Sequence, residues 1–371
     1  MLWVGLISGT SADGVDAALV RVPDEIARTE LVEFGTFPLA DEVRERVHSA
    51  AGETVSLRDL LELDTQLGEC FAAAALAVIE AAGVTPSEIE GIGSHGQTVA
   101  HYPEVGGTLQ LGSPAVVHAR TGIPVVADFR RADLAAGGQG APLTPFFHRA
   151  RLSSPDEARA ILNIGGFTNV SFLPAGGAEP VIAFDPGPGN ALIDRAARWA
   201  SGGSERYDRA GERCSRGRVD RSLVSELLAD PYFALPPPKS TGHEHFSAEL
   251  FEHIRDTLAS RGAGPDDLAA TLAELTVESV VDAARRFFPE LPSRWLLCGG
   301  GVHNRAIFAG LKRALAPARV ETTDSEGVPG DALEAMTFGV LGWCSKRGIP
   351  SNLPSATGAA RQVVLGSATP P

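Results

Sequence analysis

The stretch Ile161 to Asn190 reads ILNIGGFTNVSFLPAGGAEPVIAFDPGPGN: two apolar runs, each leading directly into a polar, glycine-rich loop. The first loop, Asn163-Ile164-Gly165-Gly166-Phe167-Thr168-Asn169, sets two adjacent glycines among a hydroxyl and two amides. Without Cβ atoms in the way, its backbone N–H groups can approach a phosphate closely. The second, Phe184-Asp185-Pro186-Gly187-Pro188-Gly189-Asn190, puts one carboxylate at the end of an apolar strand and then stiffens the backbone with alternating proline and glycine. A rigid mount is what a general base needs, so Asp185 is the candidate base.

Composition bounds the possibilities around this stretch. The chain has 371 residues, 44% hydrophobic and 21% charged, which fits two compact domains and excludes disorder. A net charge of −14 leaves no basic footprint for nucleic acid or an anionic membrane. Cys70, Cys214, Cys298 and Cys344 are widely spaced, with no C-x-x-C pair, and read as reduced, buried thiols. No apolar run approaches the roughly 18 residues of a membrane span, and the apolar start Met1 to Ile7 lacks a basic leader or cleavage site. It reads as a buried strand, and the expected location is the cytoplasm.

That strand enters Ser8-Gly9-Thr10-Ser11-Ala12-Asp13-Gly14-Val15-Asp16, and a second apolar run, Ala17 to Val22, follows. The tip of this hairpin is rich in N–H groups and hydroxyls. Taken alone it is an ordinary turn, since S-G and D-G pairs are common hairpin chemistry. No Walker-type G-x-x-x-x-G-K-[ST] is present. The second strand–glycine–strand arrangement at Ile161 to Phe172 changes the balance, because two such hairpins suggest a duplicated fold gripping one polyphosphate from both sides.

Val55 to Ala82 has helical spacing at Leu57, Leu60, Leu61, Leu67, Phe71, Ala74, Ala75 and Val78, with a capping-box pattern at Ser56 and Asp59. Ile89 to Ser94 is a strand, and Ser94 to His101 reads as a polar loop at its end; His95, Gln97 and Thr98 are all candidate sugar partners there. Pro124 to Ala127 is a strand leading to Asp128-Phe129-Arg130 and a Gly137 to Pro142 loop, where a domain boundary is placed near residue 130. Ser201 to Arg221 reads as an exposed, charged segment. Pro236 to Phe246 stiffens, with three prolines, a loop presenting Lys239, His243 and His245, too few ligands for zinc. Helices are expected over Ala191 to Ala200, Ser247 to Arg261 and Pro265 to Phe288. Strand Arg294 to Cys298 opens into Gly299-Gly300-Gly301-Val302-His303-Asn304, a backbone surface for adenine or ribose, with Asn304 near the start of a helix. The last helix begins near Gly330 and carries Asp331 and Glu334, while Gly366 to Pro371 reads as a frayed tail.

Together GTSADGVD, SHGQTVAH, DFR with GGQGAPLTP, NIGGFTN, FDPGPGN, PPPKSTG, CGGGVHN and GDALEAMTFG, in this order from Gly5 to about Gly342, resemble the anhydro-N-acetylmuramic acid kinases of the sugar-kinase and actin-like ATPase superfamily. The resemblance implies an α/β chain of two ribonuclease-H-like domains around a central cleft. Residues 1–130 would form the first, with 345–371 packing back on it, and residues 131–344 the second. It implies ATP and phosphate contacts at Gly9, Thr10, Ser11, Ala12, Asp13, Gly14, Val15, Asp16, Asn163, Gly165, Gly166 and Asn169, and an adenosine loop at Gly299, Gly300, Gly301 and Asn304. Gln97, Thr98, Asn190 and Glu334 would meet the sugar, and Asp13 or Asp16 would hold Mg²⁺. The implied reaction opens 1,6-anhydro-N-acetylmuramic acid with water, Asp185 acting as base, and phosphorylates O6 from MgATP in peptidoglycan recycling; a cytoplasmic homodimer is implied as well. Ala12, Pro186 and His243 depart from the family's usual methionine, threonine and arginine. Two alternatives are a sugar kinase acting on a free hydroxyl and a non-enzymatic nucleotide sensor.

Overall fold

A computed structural model describes every residue except Thr10, Glu53, Ala178, Glu179, His243, Pro370 and Pro371. Its strands are β1 Leu2–Ser8, β2 Gly14–Arg21, β3 Glu30–Pro38, β4 Ile89–Tyr102, β5 Gly107–Leu111, β6 Val125–Ala127, β7 Arg159–Ile164, β8 Phe167–Leu173, β9 Ile182–Pro188, β10 Arg294–Cys298, β11 Arg319–Thr322 and β12 Ser367–Ala368. They form a seven-stranded sheet ordered β12-β6-β4-β1-β2-β3, with β5 on β4, and a five-stranded sheet ordered β11-β10-β7-β8-β9. In both, three consecutive antiparallel strands are joined to two parallel ones: β1, β2 and β3 with β4 and β6, and β7, β8 and β9 with β10 and β11. The shared order is that of a ribonuclease-H-like α/β fold present twice.

Contacts divide the chain into Met1–Leu152 with Ala332–Pro371, and Ser153–Asp331. The line drawn from sequence lay near residue 130, with the returning segment beginning at about residue 345. A buried carboxylate ties residues 131–152 to the C-terminal segment: Asp133 accepts hydrogen bonds from the Gly140 N–H at 2.8 Å, Asn352 Nδ2 at 2.7 Å and Thr357 Oγ1 at 2.7 Å. Such a group is tolerated away from water because its lone pairs are occupied. Within the tail expected to fray, Ser367 and Ala368 form a strand instead, opposite Ala127 and Val126, while Pro370 and Pro371 lie outside the described residues.

In the first unit the helix Leu57–Ala81 buries Leu63, Leu67, Phe71, Ala74, Ala75 and Val78 against the sheet. Ser56 caps it, its hydroxyl accepting from the Asp59 N–H at 3.1 Å. Leu57 and Leu61, expected on the core face, are 80% and 67% exposed, because the apolar stripe begins at Leu63. The opposite sheet face carries Leu333–Lys346, nearly all of it buried. It lies so close that a Cβ at Gly5 would sit 1.8 Å from the Ala335 carbonyl oxygen, and one at Gly93 1.9 Å from that of Phe338.

In the second unit, Leu162, Phe172, Phe184, Leu272 and Trp295 centre the core, with the long helix Pro265–Phe287 packed on it. Ser201 to Arg221, expected to be exposed, is partly packed. Arg213 pairs with Glu205 and Asp266, Asp208 accepts from the Arg213 and Cys214 N–H groups, and Cys214 is buried. All four cysteines are free, Cys70 being the half-buried one.

The fit over Gly5 sets a test. Gly5→Ala should cost about 3 kcal/mol, since overpacking at a backbone contact has no rotamer by which to escape. Urea denaturation measures it, and an unchanged midpoint would contradict the packing of Leu333–Lys346 on β1.

Candidate active site

The two glycine hairpins differ in build. The first spans the gap from β1 to β2, where Ile7 pairs with Asp16. The Ala12 N–H donates to the Gly9 carbonyl at 3.0 Å, and Ala12 takes a left-handed φ of 52° while wholly buried. Gly14 and Val15 are buried, whereas Gly9, Ser11 and Asp13 are exposed; Thr10 lies outside the described residues. The second is tighter, with only Gly165 and Gly166 between β7 and β8. Its carbonyls are braced from behind. Gly189 and Ala191 donate their N–H groups to Gly166 O at 2.9 and 3.0 Å, and Asn190 donates its own to Gly165 O at 2.8 Å.

Which glycines the fold itself requires can be separated from those it does not. Gly299 has φ 78°, and a Cβ there would meet Asn163 Oδ1 at 2.1 Å; at Gly301 it would meet the Ile164 side chain at 2.2 Å. These two pack the Gly299–Gly301 loop against the base of the second hairpin, bringing together residues the sequence had joined only by inference. A Cβ at Gly9 or Gly300 would meet nothing within 4 Å, and at Gly166 only Ala191 Cβ at 3.8 Å. None of these three has a left-handed φ. Among the described residues no atom demands glycine there, and the backbone at these positions is left open to close approach.

Asp185 does not end its strand. β9 continues through Pro188 because it is an edge strand, where prolines are tolerated, and because its register slips opposite Asn169: Val170 faces Phe184 and Thr168 faces Gly187. Asp185 and Pro186 therefore share one partner position in a bulge. The free edge is covered by the Pro236–Gly242 segment. The Asp185 N–H donates to the Lys239 carbonyl at 3.0 Å, the Thr241 N–H donates to Asp185 Oδ2 at 3.0 Å, and Tyr232 Oη donates to the Asp185 carbonyl at 2.6 Å. Burial lifts the Asp185 carboxyl to about 7; the Thr241 N–H opposes this, the Glu244 charge adds to it, and Lys239 opposes it. Lys239, expected to be presented to solvent, is buried, and His243 lies outside the described residues.

In the first unit, Ser94 to His101 is not a loop. β4 runs on to Tyr102 and folds back through β5. His95 and Gln97 are buried. Gln97 Nε2 donates to the Thr98 carbonyl at 3.2 Å, and Thr98 Oγ1 accepts from Gln110 Nε2 at 3.2 Å. Arg130 Nε donates to His95 Nε2 at 3.1 Å, so that nitrogen carries no proton and Nδ1–H donates to the Gly96 carbonyl at 2.9 Å. Burial and the Arg130 charge hold His95 neutral, well below its usual range. Glu334 is raised by burial and by the nearby Asp16 carboxylate, and is opposed by Arg130, whose own value burial lowers to about 10. Asp16 accepts from Thr36 Oγ1 at 2.6 Å, while Asp13 is exposed and pairs with Arg44 at 3.8 Å. Asp16 and Arg130 thus both act electrostatically on Glu334, and Arg130 has no counterpart in the sequence reading beyond the DFR motif.

Residues 1–371 match the family described as anhydro-N-acetylmuramic acid kinase. Relatives bearing that name include one from Gloeobacter violaceus, 45% identical over 100% of this chain and 98% of its own length. Another, from Caldanaerobacter subterraneus, is 42% identical over 98% and 96%. The chain belongs to the anhydro-N-acetylmuramic acid kinase family. Among solved structures it is similar to the activator of the 2-hydroxyisocaproyl-CoA dehydratase from Clostridium difficile (TM-score 0.48, 12% identity, 94% and 96% of the two chains). It is also similar to a ROK family glucokinase from Streptomyces griseus (TM-score 0.43, 13% identity, 92% and 99%). As an anhydro-N-acetylmuramic acid kinase family member the chain is a kinase acting on a sugar hydroxyl, and the full-length match favours neither alternative weighed from the sequence.

The remaining positions have these places. Asn163 and Asn169 face each other across β7 and β8. Asn190 Nδ2 donates to the Gly165 carbonyl at 3.2 Å, bracing the hairpin. Asn304 caps Arg305–Ala314, its Oδ1 accepting from the Ala306 and Ile307 N–H groups. For an anhydro-N-acetylmuramic acid kinase the open glycines yield a clear expectation: Gly166→Ala should leave stability within about 0.5 kcal/mol. It should nevertheless weaken nucleotide binding at least about tenfold, the equivalent of about 1.4 kcal/mol. Calorimetric titration beside thermal unfolding measures both, and unaltered affinity would remove Gly166 from the phosphate site.

Proposed function

We propose that the chain is an ATP-dependent kinase that hydrolytically opens 1,6-anhydro-N-acetylmuramic acid and phosphorylates O6, yielding N-acetylmuramic acid 6-phosphate and ADP in peptidoglycan recycling. The observation that carries the chemistry is Asp185, half-buried on a bulge, its backbone braced by hydrogen bonds to Lys239 and Tyr232 and its carboxylate by the Thr241 N–H, with its proton affinity brought to about 7. A base is most useful when its pKa lies near the working pH.

In this reading the anhydro sugar has no free 6-hydroxyl. Asp185 takes a proton from water, the water oxygen bonds to C1, the bond from C1 to O6 breaks, and O6 receives the γ-phosphoryl group. Positioning and charge neutralisation dominate such transfers, so backbone donors of the Gly9 to Asp16 loop and of Gly166 hold phosphate, and Gly299 to Gly301 receive the adenosine. The Gly165 and Ala12 N–H groups are instead given to the Phe167 carbonyl at 3.1 Å and the Gly9 carbonyl at 3.0 Å. Glu334, Gln97, Thr98 and Asn190 serve the sugar or the attacking water. Mg²⁺ supplies positive charge at the phosphates. Such an ion uses one or two carboxylates together with water and phosphate. The two candidates to hold it are Asp16, whose carboxylate accepts from Thr36 Oγ1 at 2.6 Å, and the exposed Asp13. A cytoplasmic homodimer completes the proposal; no helix among the described residues is long and apolar enough to cross a membrane.

ATP turnover with and without the anhydro sugar tests the proposal, and sugar-independent turnover would contradict it. Asp185→Asn should lower kcat by at least about 10²-fold while sparing nucleotide affinity. Turnover within a few-fold of the parent would remove Asp185 from the base role. In the parent, kcat/KM should fall as pH drops through about 7, because the protonated carboxyl cannot accept a proton. The stability sign is opposite. Asp185 binds its proton more tightly folded than unfolded, where its value is 3.8, so its contribution is fully present at low pH and lost as pH rises through about 7. Asp185→Asn should therefore not lower the melting temperature at about pH 8, and a marked fall there would mean that the carboxylate is structural.

A further inference from the structure

Lys239 is the feature of the second unit that the reaction above leaves unused. It is 8% exposed. Its Nζ donates to the Tyr232 carbonyl at 3.1 Å and the Phe233 carbonyl at 3.4 Å, within the short helix Pro231–Ala234. The ammonium also lies 4.6 Å from the ring centre of Tyr232, 5.1 Å from that of Phe287 and 5.8 Å from that of Phe184. A buried cation is costly unless something requires it, and an apolar side chain would fill the same aromatic box without that cost. The same two residues reach Asp185: Lys239 through its carbonyl, which accepts the Asp185 N–H, and Tyr232 through its hydroxyl, which donates to the Asp185 carbonyl. Thr241, two residues beyond Lys239, donates its N–H to the carboxylate itself.

We propose that Lys239 is a positioning residue for the general base: its clamped ammonium fixes the 239–241 strap across the edge of β9, and with it the Thr241 N–H that meets the Asp185 carboxylate. The proposal rests on the base role of Asp185. The strap sets the direction of the carboxylate through the Thr241 N–H, and that donor favours the ionised form.

Among the described residues, other titratable groups also act on this pair or pack against it. Glu244 on the strap acts on Asp185 in the opposite sense to Lys239. Tyr232 is pushed up by burial and by Asp185, and so stays a neutral donor. His245 packs on the Tyr232 ring and pairs with Asp230 at 3.3 Å. From Pro265–Phe287, Asp282 supports the Lys239 charge and Arg286 opposes it, while burial lowers Lys239 to about 8.

The test is the pH profile of kcat/KM for Lys239→Met, Lys239→Gln and Lys239→Arg, with thermal unfolding and nucleotide titration on each. Methionine keeps the apolar fill, glutamine a donor without charge, and arginine the charge. The acid limb should move up by about one unit in the Met and Gln variants, so that near pH 7 they are slower by about fivefold, approaching about tenfold at lower pH, and recover as pH rises. It should stay in place for Lys239→Arg. If Met does not fold, Gln and Arg alone carry the comparison. An equal loss at every pH, with the limb unmoved in both neutral variants, would overturn the proposal and leave Lys239 a structural clip. Asp185→Asn separates the two readings: if it retains near-parental turnover, the base assignment fails and this proposal with it; if it is inactive while the limb is unmoved, only the Lys239 role fails.

Discussion

A carboxylate drawn partly out of water holds its proton more tightly, and at Asp185 that tendency is only partly offset by one backbone N–H and a buried ammonium, so the group rests near neutrality. The surrounding structure follows from keeping it there. The bulge turns Asp185 out of regular register, the edge position admits Pro186 and Pro188, and the strap closes the edge that would otherwise leave backbone groups unpaired. A central strand could accept none of these, because proline would remove ladder hydrogen bonds.

The fold requires glycine at some positions and not at others. Gly5 and Gly93 let a buried helix settle onto a sheet, and Gly299 and Gly301 let one loop settle onto another; in each case backbone or side-chain atoms already occupy the space of a Cβ. At Gly9, Gly166 and Gly300 that space is open. The sequence does not distinguish these classes, since both appear as glycine after a strand. The distinction emerges only when neighbours distant along the chain, such as Asn163 beside Gly299, are brought into place.

What could be read directly was local. Helical spacing with Ser56 as cap located Leu57–Ala81 within a residue or two, and the two glycine pairings marked both hairpins, because capping and turn chemistry act over a few residues. The failures came from long-range partners. The alternating polar residues of Ser94 to His101 resemble a loop until β5 pairs with them. Asp-Pro-Gly-Pro looks like a strand break unless the strand is known to lie at an edge. Lys239 looks solvated, since nothing near it in sequence discloses two carbonyls and three rings around its ammonium. The tail looks frayed because its partner, β6, lies far back in the chain.

The claim on which the account depends is that water, deprotonated by Asp185, becomes part of the sugar. Turnover of 1,6-anhydro-N-acetylmuramic acid with ATP in water enriched in the 18O isotope, followed by mass spectrometry of the fragmented product at early times, tests it directly. One solvent oxygen at C1 with the phosphate on the original O6 is the predicted result. Phosphorylated sugar that retains the anhydro bridge, or carries no solvent oxygen at C1, would contradict it.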